Sequence, residues 1–296
     1  MISPFVRRLR LAHELRVLRE DAGLTHEQLA KAIRESRAKI SRLENGHIPP
    51  DQNDIIKLLD ALSVDGDKWA QILTIAQEAA AKGWWESNIK TMGERQALYA
   101  NLEAGAVTIR EYQQTFLPGL LQIPDFVQFR TEADSAIQPL SITPEGVAKG
   151  RTGRQRMMRR PGGPTLEVLI DELAIRRLSA PPAVIRAQLR HLVTTATAEP
   201  RITVRVLPVE ALIAGHTVPR CSFSLYTYAD PEDPQVVAID TVTSDLVLTE
   251  EEEVNPYIAL YGRLQEASLP AADSLRLITE TADRLPDQKS DQEQET

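Results

Sequence analysis

Cysteine is almost missing from this chain of 296 residues: Cys221 stands alone. A single thiol excludes an internal disulfide and any multi-thiolate metal site. In "PRCSFSL" it reads as buried filler, with a redox sensor as the alternative. Long apolar runs are missing too; no stretch approaches the roughly 18 to 20 residues that span a bilayer. The opening "MISPFVRRLRLAHELR" threads arginine and glutamate through its apolar positions, unlike a signal peptide. There is no glycine-rich phosphate loop and no Gly-x-Ser-x-Gly elbow. The five histidines, His13, His26, His47, His191 and His216, are scattered without an i,i+4 pair, and each reads as a surface or capping residue. Asp171-Glu172 reads as a strand end that starts a helix, and the four glutamates 250–253 as the charged first turn of another. The expectation is a cytoplasmic protein outside the membrane, with no catalytic residue, no metal ligand and no cofactor.

What is present is an uneven charge. The chain carries a formal net charge of -8, which argues against binding nucleic acid through overall charge. Residues 1–50 nevertheless hold ten Lys/Arg against six acids. The first eighty residues predict five short helices. Leu11, Leu15, Leu18 and Ala22 recur at helical spacing, and Gly23 stops that helix. Thr25 opens the second with Gln28 as a capping box, and Leu29, Ala30 and Ile33 face inward. Ser36 caps a third that ends near Asn45-Gly46. Asp51 caps a fourth, and a fifth holds Trp69, Ile72, Leu73 and Ala76. Only Arg34 and Glu35 lie between Ile33 and Ser36, so the second and third helices must cross steeply.

The third helix, in "ESRAKISRLENG", is the candidate site. At about 100° per residue, Ile40 and Leu43 fall together as the buried side. Ala38, Ser41, Arg42 and Asn45 then point outward, with Arg37 and Lys39 as flanks. A ridge of small residues and one arginine fits a major groove about 12 Å wide; Arg42 can fork onto a guanine and Lys39 can neutralise a phosphate. The bland alternative is a solvated surface helix. The segment "LRVLREDAGLTHEQLAKAIRESRAKISRLENGHIPP" resembles the lambda-repressor-like, XRE-type helix-turn-helix domain over roughly residues 12–62, with "GLT", "LA", "IS" and "LENG" at that family's spacing. The resemblance implies that Arg37, Ala38 and Arg42 face bases, that His26 and Asn45 touch phosphates, and that Arg19 and Glu44 form an ion pair. Two residues depart from the family: Arg34 replaces its glycine turn and Glu35 an apolar residue. Arg34 is therefore expected either to loosen the turn or to adopt a left-handed conformation.

Beyond residue 80 the pattern changes. Gly83 breaks the helix before Trp84-Trp85, read either as a partner or interdomain anchor or as a hinge packed into its own domain. From "ERQALYANLEAGAVTIREYQQTFLPGLLQIPDFVQFR" a long helix, a Pro118-Gly119 turn and a helix from Pro124 are expected. "TPEGVAKGRTGRQRMMRR" reads as a basic helix whose Arg151, Arg154, Gln155 and Met158 share one face, either a solvated ridge or a binding surface for an acidic partner. "TLEVLID", "RITVRVLP", "SFSLYTYA" and "QVVAID" read as strands, with helices near 182–198, 250–267 and 271–284. "DQKSDQEQET" is too polar to fold. The fold class is therefore α+β: an all-α five-helix domain at 1–80, an α+β domain at 84–284 and a disordered tail at 285–296.

"YANLEAGAVTIREYQQTFLPGLLQIPDF", "RQRM" and "RITVRVLP" resemble the C-terminal domain of a large actinomycete group of antitoxin-like transcriptional regulators, over roughly residues 84–280. These are commonly encoded beside a small protein that serves as partner. The favoured reading is a sequence-specific regulator that binds double-stranded DNA as a homodimer. Its second domain would bind a small protein partner through Trp84, Trp85, Arg151 and Arg154. An interaction module that does not bind DNA, a small-ligand sensor and a tethered enzyme are the competing classes.

Overall fold

A computed structural model of the chain describes residues 2–137 and 142–286. Most of the tail expected to be unfolded lies outside the described residues; of Leu285 and Pro286, both carbonyls accept hydrogen bonds from Arg186. The chain divides into two compact units. The first holds the residues up to Ser87 together with Tyr99–Ala106 and Tyr228–Pro234; the second holds the rest.

Five helices build the first unit: α1 (Pro4–Asp21), α2 (His26–Ala32), α3 (Arg37–Glu44), α4 (Gln52–Ala61) and α5 (Gly66–Ala80). Their starts follow the side chains that can satisfy free backbone N–H groups. Ser3, Thr25, Ser36 and Asp51 each accept from the first turn, and Thr25 with Gln28 completes a capping box. Their apolar faces meet in one core, among them Leu11, Leu15, Leu29, Ile40, Ile55, Leu59, Ile72 and Ala76.

The ends of α1 to α4 share one device. In each, the residue after the C-cap turns left-handed and donates to the carbonyl three residues back, while its successor donates five residues back. This is the Schellman closure. Gly23 and Gly46 fill the left-handed position after α1 and α3, where a residue without Cβ adopts it freely. After α2 and α4 the position falls to Arg34 (φ 57°) and Ser63 (φ 54°). The α2–α3 turn is thus tight, with Glu35 N–H donating to the Ala30 carbonyl at 2.9 Å, and Arg34 takes the left-handed conformation.

Two further segments complete this unit. The side-chain oxygen of Asn101 accepts from the Ser3 hydroxyl and from Phe5 N–H, each at 3.1 Å. The Tyr228 hydroxyl donates to the Leu102 carbonyl at 3.1 Å. Beyond α5, the indole of Trp85 occupies the space where any side chain at Gly83 would stand. Its ring meets that of Trp84 edge-on, centroids 6.1 Å apart.

The second unit is built on a six-stranded mixed sheet in the order β3-β2-β1-β4-β5-β6. Its strands are β1 (Ala106–Gln113), β2 (Thr165–Asp171), β3 (Ile202–Leu207), β4 (Phe223–Tyr228), β5 (Val236–Asp240) and β6 (Asp245–Leu248). β1, β2 and β3 run parallel, with Thr108 opposite Thr165 and Leu166 opposite Ile202. β4, β5 and β6 are antiparallel, with Val237 opposite both Leu225 and Leu248. Its helices are α6 (Ile89–Met92), α7 (Glu94–Gly105, whose last turns belong to the first unit), α8 (Pro124–Ile137), α9 (Pro144–Met158), α10 (Glu172–Arg176), α11 (Pro182–Ala198), α12 (Glu251–Ala267) and α13 (Ala271–Asp283). Parallel neighbours need a crossover, supplied by α8 and α9 between β1 and β2 and by α10 and α11 between β2 and β3. One face carries Tyr112, Leu169, Phe223, Val237, Tyr261 and Leu264, with the rings of Tyr112, Phe223 and Tyr257 in succession at 5.9 and 5.1 Å.

The long helix expected across "AVTIREYQ" is corrected: α7 stops at Gly105 and the next eight residues form β1, a central strand. Ile109 and Tyr112 are buried there, and so is Glu111, whose charge gave the segment a helical look; the Ser224 hydroxyl donates to its carboxylate at 3.4 Å. β6 is a second strand that sequence reading missed.

Candidate nucleic-acid interface

α3 is fixed from beneath and from both ends. Ile40 and Leu43 are buried in the core of the first unit. At the start, the Ser36 hydroxyl accepts from Lys39 N–H at 3.2 Å. At the far end Glu44, only 2% exposed, receives Nε of Arg19 on both oxygens, at 2.8 and 3.0 Å. The same guanidinium donates from Nη1 to the Leu24 carbonyl at 2.9 Å. Chiefly through its hydrogen bonds to Glu44, against the cost of burial, Arg19 holds its proton more tightly than an ordinary arginine. Breaking such a pair by removing one partner leaves a buried charge and costs about 3 to 5 kcal/mol.

The opposite side of α3 is open. Arg37, Ala38, Arg42 and Asn45 are exposed and Ser41 is half-buried. Arg42 lies back along its own helix, with Nε 3.4 Å from the Ala38 carbonyl. The ridge expected from the helical wheel is therefore assembled: two small side chains with an arginine at each end.

Three of the expected contact residues are engaged inside the protein. Lys39 turns toward α4, where its ammonium lies 2.5 Å from Asp54 and 3.2 Å from Glu35. Hydrogen bonding to Asp54, more than any other effect, raises its pKa. Its charge is thus paired within the protein, and a phosphate contact by Lys39 would have to share it with Asp54 and Glu35. His26 Nε2 lies 3.1 Å from Glu44 Oε2 and so joins the Arg19 pair. Asn45 donates to the Ser41 carbonyl at 2.6 Å. Two basic residues escaped sequence reading as members of this face. Arg16 donates to the Glu44 carbonyl at 2.9 Å, beside the end of α3, and Arg34 stands exposed on the turn before it. The signal for Arg16 was its place one helical turn before Arg19.

Of the residues expected to meet a partner, Trp84 and Trp85 lie in the first unit and Arg151 and Arg154 in the second. Trp85 and Arg154 are each 4% exposed and cannot present themselves to a partner. Trp85 covers Gly83. Arg154 lies on the buried face of α9 with Val147, Gly150 and Met158, and donates to Gln96 at 2.5 Å. Arg151 is half-buried with its guanidinium against the Pro118–Gly119 turn, and Trp84 is half-buried. The helical face was read at the right spacing but points inward; the exposed arginines of this segment are Arg156 and Arg159.

A capped, short-turned helix pair with a basic outward ridge defines a helix-turn-helix regulator that binds DNA. A helix-turn-helix family model matches residues 10–71. The model of the domain of unknown function DUF5753 matches residues 96–280, well over half of the chain, and the protein belongs to that family. Among solved structures, that of the clp gene regulator ClgR from C. glutamicum is 31% identical over 25% of this chain and 92% of its own, with a TM-score of 0.21, too low to bear on the fold. No curated protein matches the chain. Among the described residues, no helix is long and apolar enough to cross a membrane.

Proposed function

We propose that this is a sequence-specific, antitoxin-like transcriptional regulator of the XRE type, acting in the cytoplasm and without enzymatic activity. α3 enters the major groove, where Arg37, Ala38, Ser41 and Arg42 meet base edges. Arg16, Arg34, His26 and Asn45 lie toward the phosphates. The observation that carries this reading is the exposed Arg37–Ala38–Arg42 ridge on a helix held by the buried Arg19–Glu44 pair. Such an arrangement presents two guanidinium forks at fixed spacing to the acceptors of guanine. Two protomers bind together, because one eight-residue helix reads too few base pairs alone. The DUF5753 region takes a small protein partner or a signal, with Arg156 and Arg159 offered to acidic groups in place of Arg154.

Duplexes selected from a random pool, followed by titration of Arg37→Ala and Arg42→Ala, test this reading. Each variant is expected to lose about 1 to 3 kcal/mol on the selected duplex and to relax base preference at one position. Equal losses on selected and random duplexes would show that the two arginines touch only phosphates.

A further inference from the structure

Two arginines of α1 are buried away from the reading face. Arg7 places Nε 2.9 Å from Glu78 of α5, and Nη1 3.0 Å from both Asp230 and Asp233. Arg10 donates to Asp230 at 2.5 Å and also to Glu232, whose carboxylate accepts from Gln71 as well, at 3.2 Å. Asp230, Glu232 and Asp233 form the tip of the β4–β5 connection, part of the first unit. That tip is ordered by its own bonds: Glu232 N–H donates to the Asp230 carboxylate at 3.1 Å, and Asp233 N–H to the Asp230 carbonyl at 3.0 Å.

The same helix reaches the reading site. Arg16 and Arg19, in the second half of α1, hold the end of α3 through Glu44. α1 has 18 residues, about 27 Å at the usual rise, with its single proline at the first turn and no glycine within it. A helix without a kink site transmits a displacement from one half to the other. Clamping the first half therefore fixes the second.

We propose that Asp230, Glu232 and Asp233 are positioning residues for DNA binding: by holding Arg7 and Arg10 they set the placement of α1 and, through Arg16 and Arg19, of α3. The proposal rests on the reading of α3 as the DNA-contacting helix. It gives the tip a role beyond stability, because the chain on either side of it continues into strands of the DUF5753 region. A change in that connection would then be felt at α3.

The test uses the full chain with Asp230→Asn and Asp233→Asn together, and separately Glu232→Gln, whose side chain is largely exposed. The double variant is expected to bind the selected duplex about tenfold more weakly, and Glu232→Gln about two- to threefold. The slope of log K against log salt should stay unchanged, because no phosphate contact is removed. Amide exchange over Glu44–His47 should speed up in both, and by more than at the amides of α4 and α5. A role in stability alone would lower the urea midpoint and speed exchange at the protected amides of the first unit alike, while leaving the folded protein's affinity as in wild type, and that result overturns the proposal. Should the double variant not fold, Glu232→Gln decides by the same two readouts. Should the wild type bind no duplex, the DNA reading fails by itself, and whether exchange at Glu44–His47 speeds up beyond that at α4 and α5 still decides whether the tip positions α3.

Discussion

Arg34 shows how a single residue can sit at odds with its place. Its left-handed backbone completes the Schellman closure of α2, at a position that costs an L side chain about 1 kcal/mol relative to glycine. Arg34→Gly should therefore stabilise the first unit by about that amount, read as a higher urea midpoint. An unchanged or lower midpoint would show that the Arg34 side chain returns more than its backbone costs. On the selected duplex the same variant should bind more weakly if the exposed guanidinium meets a phosphate. Stability and affinity would then move in opposite directions, which accounts for a cation at a position the turn would give to glycine. Lys39 carries the complementary lesson: a helical wheel locates a side chain on a helix but not the carboxylates of the next helix that capture it.

At the scale of elements, the tip between β4 and β5 makes a pH dependence. Burial opposes ionisation of Asp230, yet hydrogen bonds from Arg7, from Glu232 N–H and from Arg10 outweigh it and hold the carboxyl at about 2. A carboxylate depressed on folding contributes stability that is complete above its ordinary value near 4 and is lost as pH falls through 2. Asp233 works the other way: burial raises its pKa, so the stability it withholds at neutral pH is regained as pH falls toward its ordinary value near 4, above the window of the Asp230 loss. The unfolding free energy of the protein, from urea titrations followed by circular dichroism, should fall between pH 4 and pH 2, by at most about 2 kcal/mol from Asp230. In Asp230→Asn that part of the fall should vanish; an identical pH profile would mean the contact is not made in solution. None of this could be read from the sequence, where Arg7 and Asp230 are more than two hundred residues apart. What could be read was local. Caps at Thr25, Ser36 and Asp51, the apolar faces of α1 to α5 and four of the six strands follow from spacing and from residues within a few positions of one another. β1 escaped because its buried Glu111 imitates a helix surface, and Arg154 was misplaced because α9 buries a charged residue against Gln96.

For the whole molecule, the prediction concerns assembly. Two protomers should occupy an operator of two related half-sites about one helical turn apart, since a two-fold arrangement doubles the bases read by one short helix. Light scattering together with footprinting checks it. A monomer that protects a single half-site would contradict it.

Trp69, Trp84 and Trp85 are the only tryptophans of the chain, and all three belong to the first compact unit. The second unit has tyrosines and phenylalanines in its core instead. Excitation at the red edge of the absorption band, where tyrosine contributes almost nothing, therefore makes the protein report on its helix-turn-helix unit alone. Trp85, covered against Gly83, supplies the emission most sensitive to opening. An optical signal confined to one unit allows its unfolding to be followed in the intact chain, without a label and without cutting it.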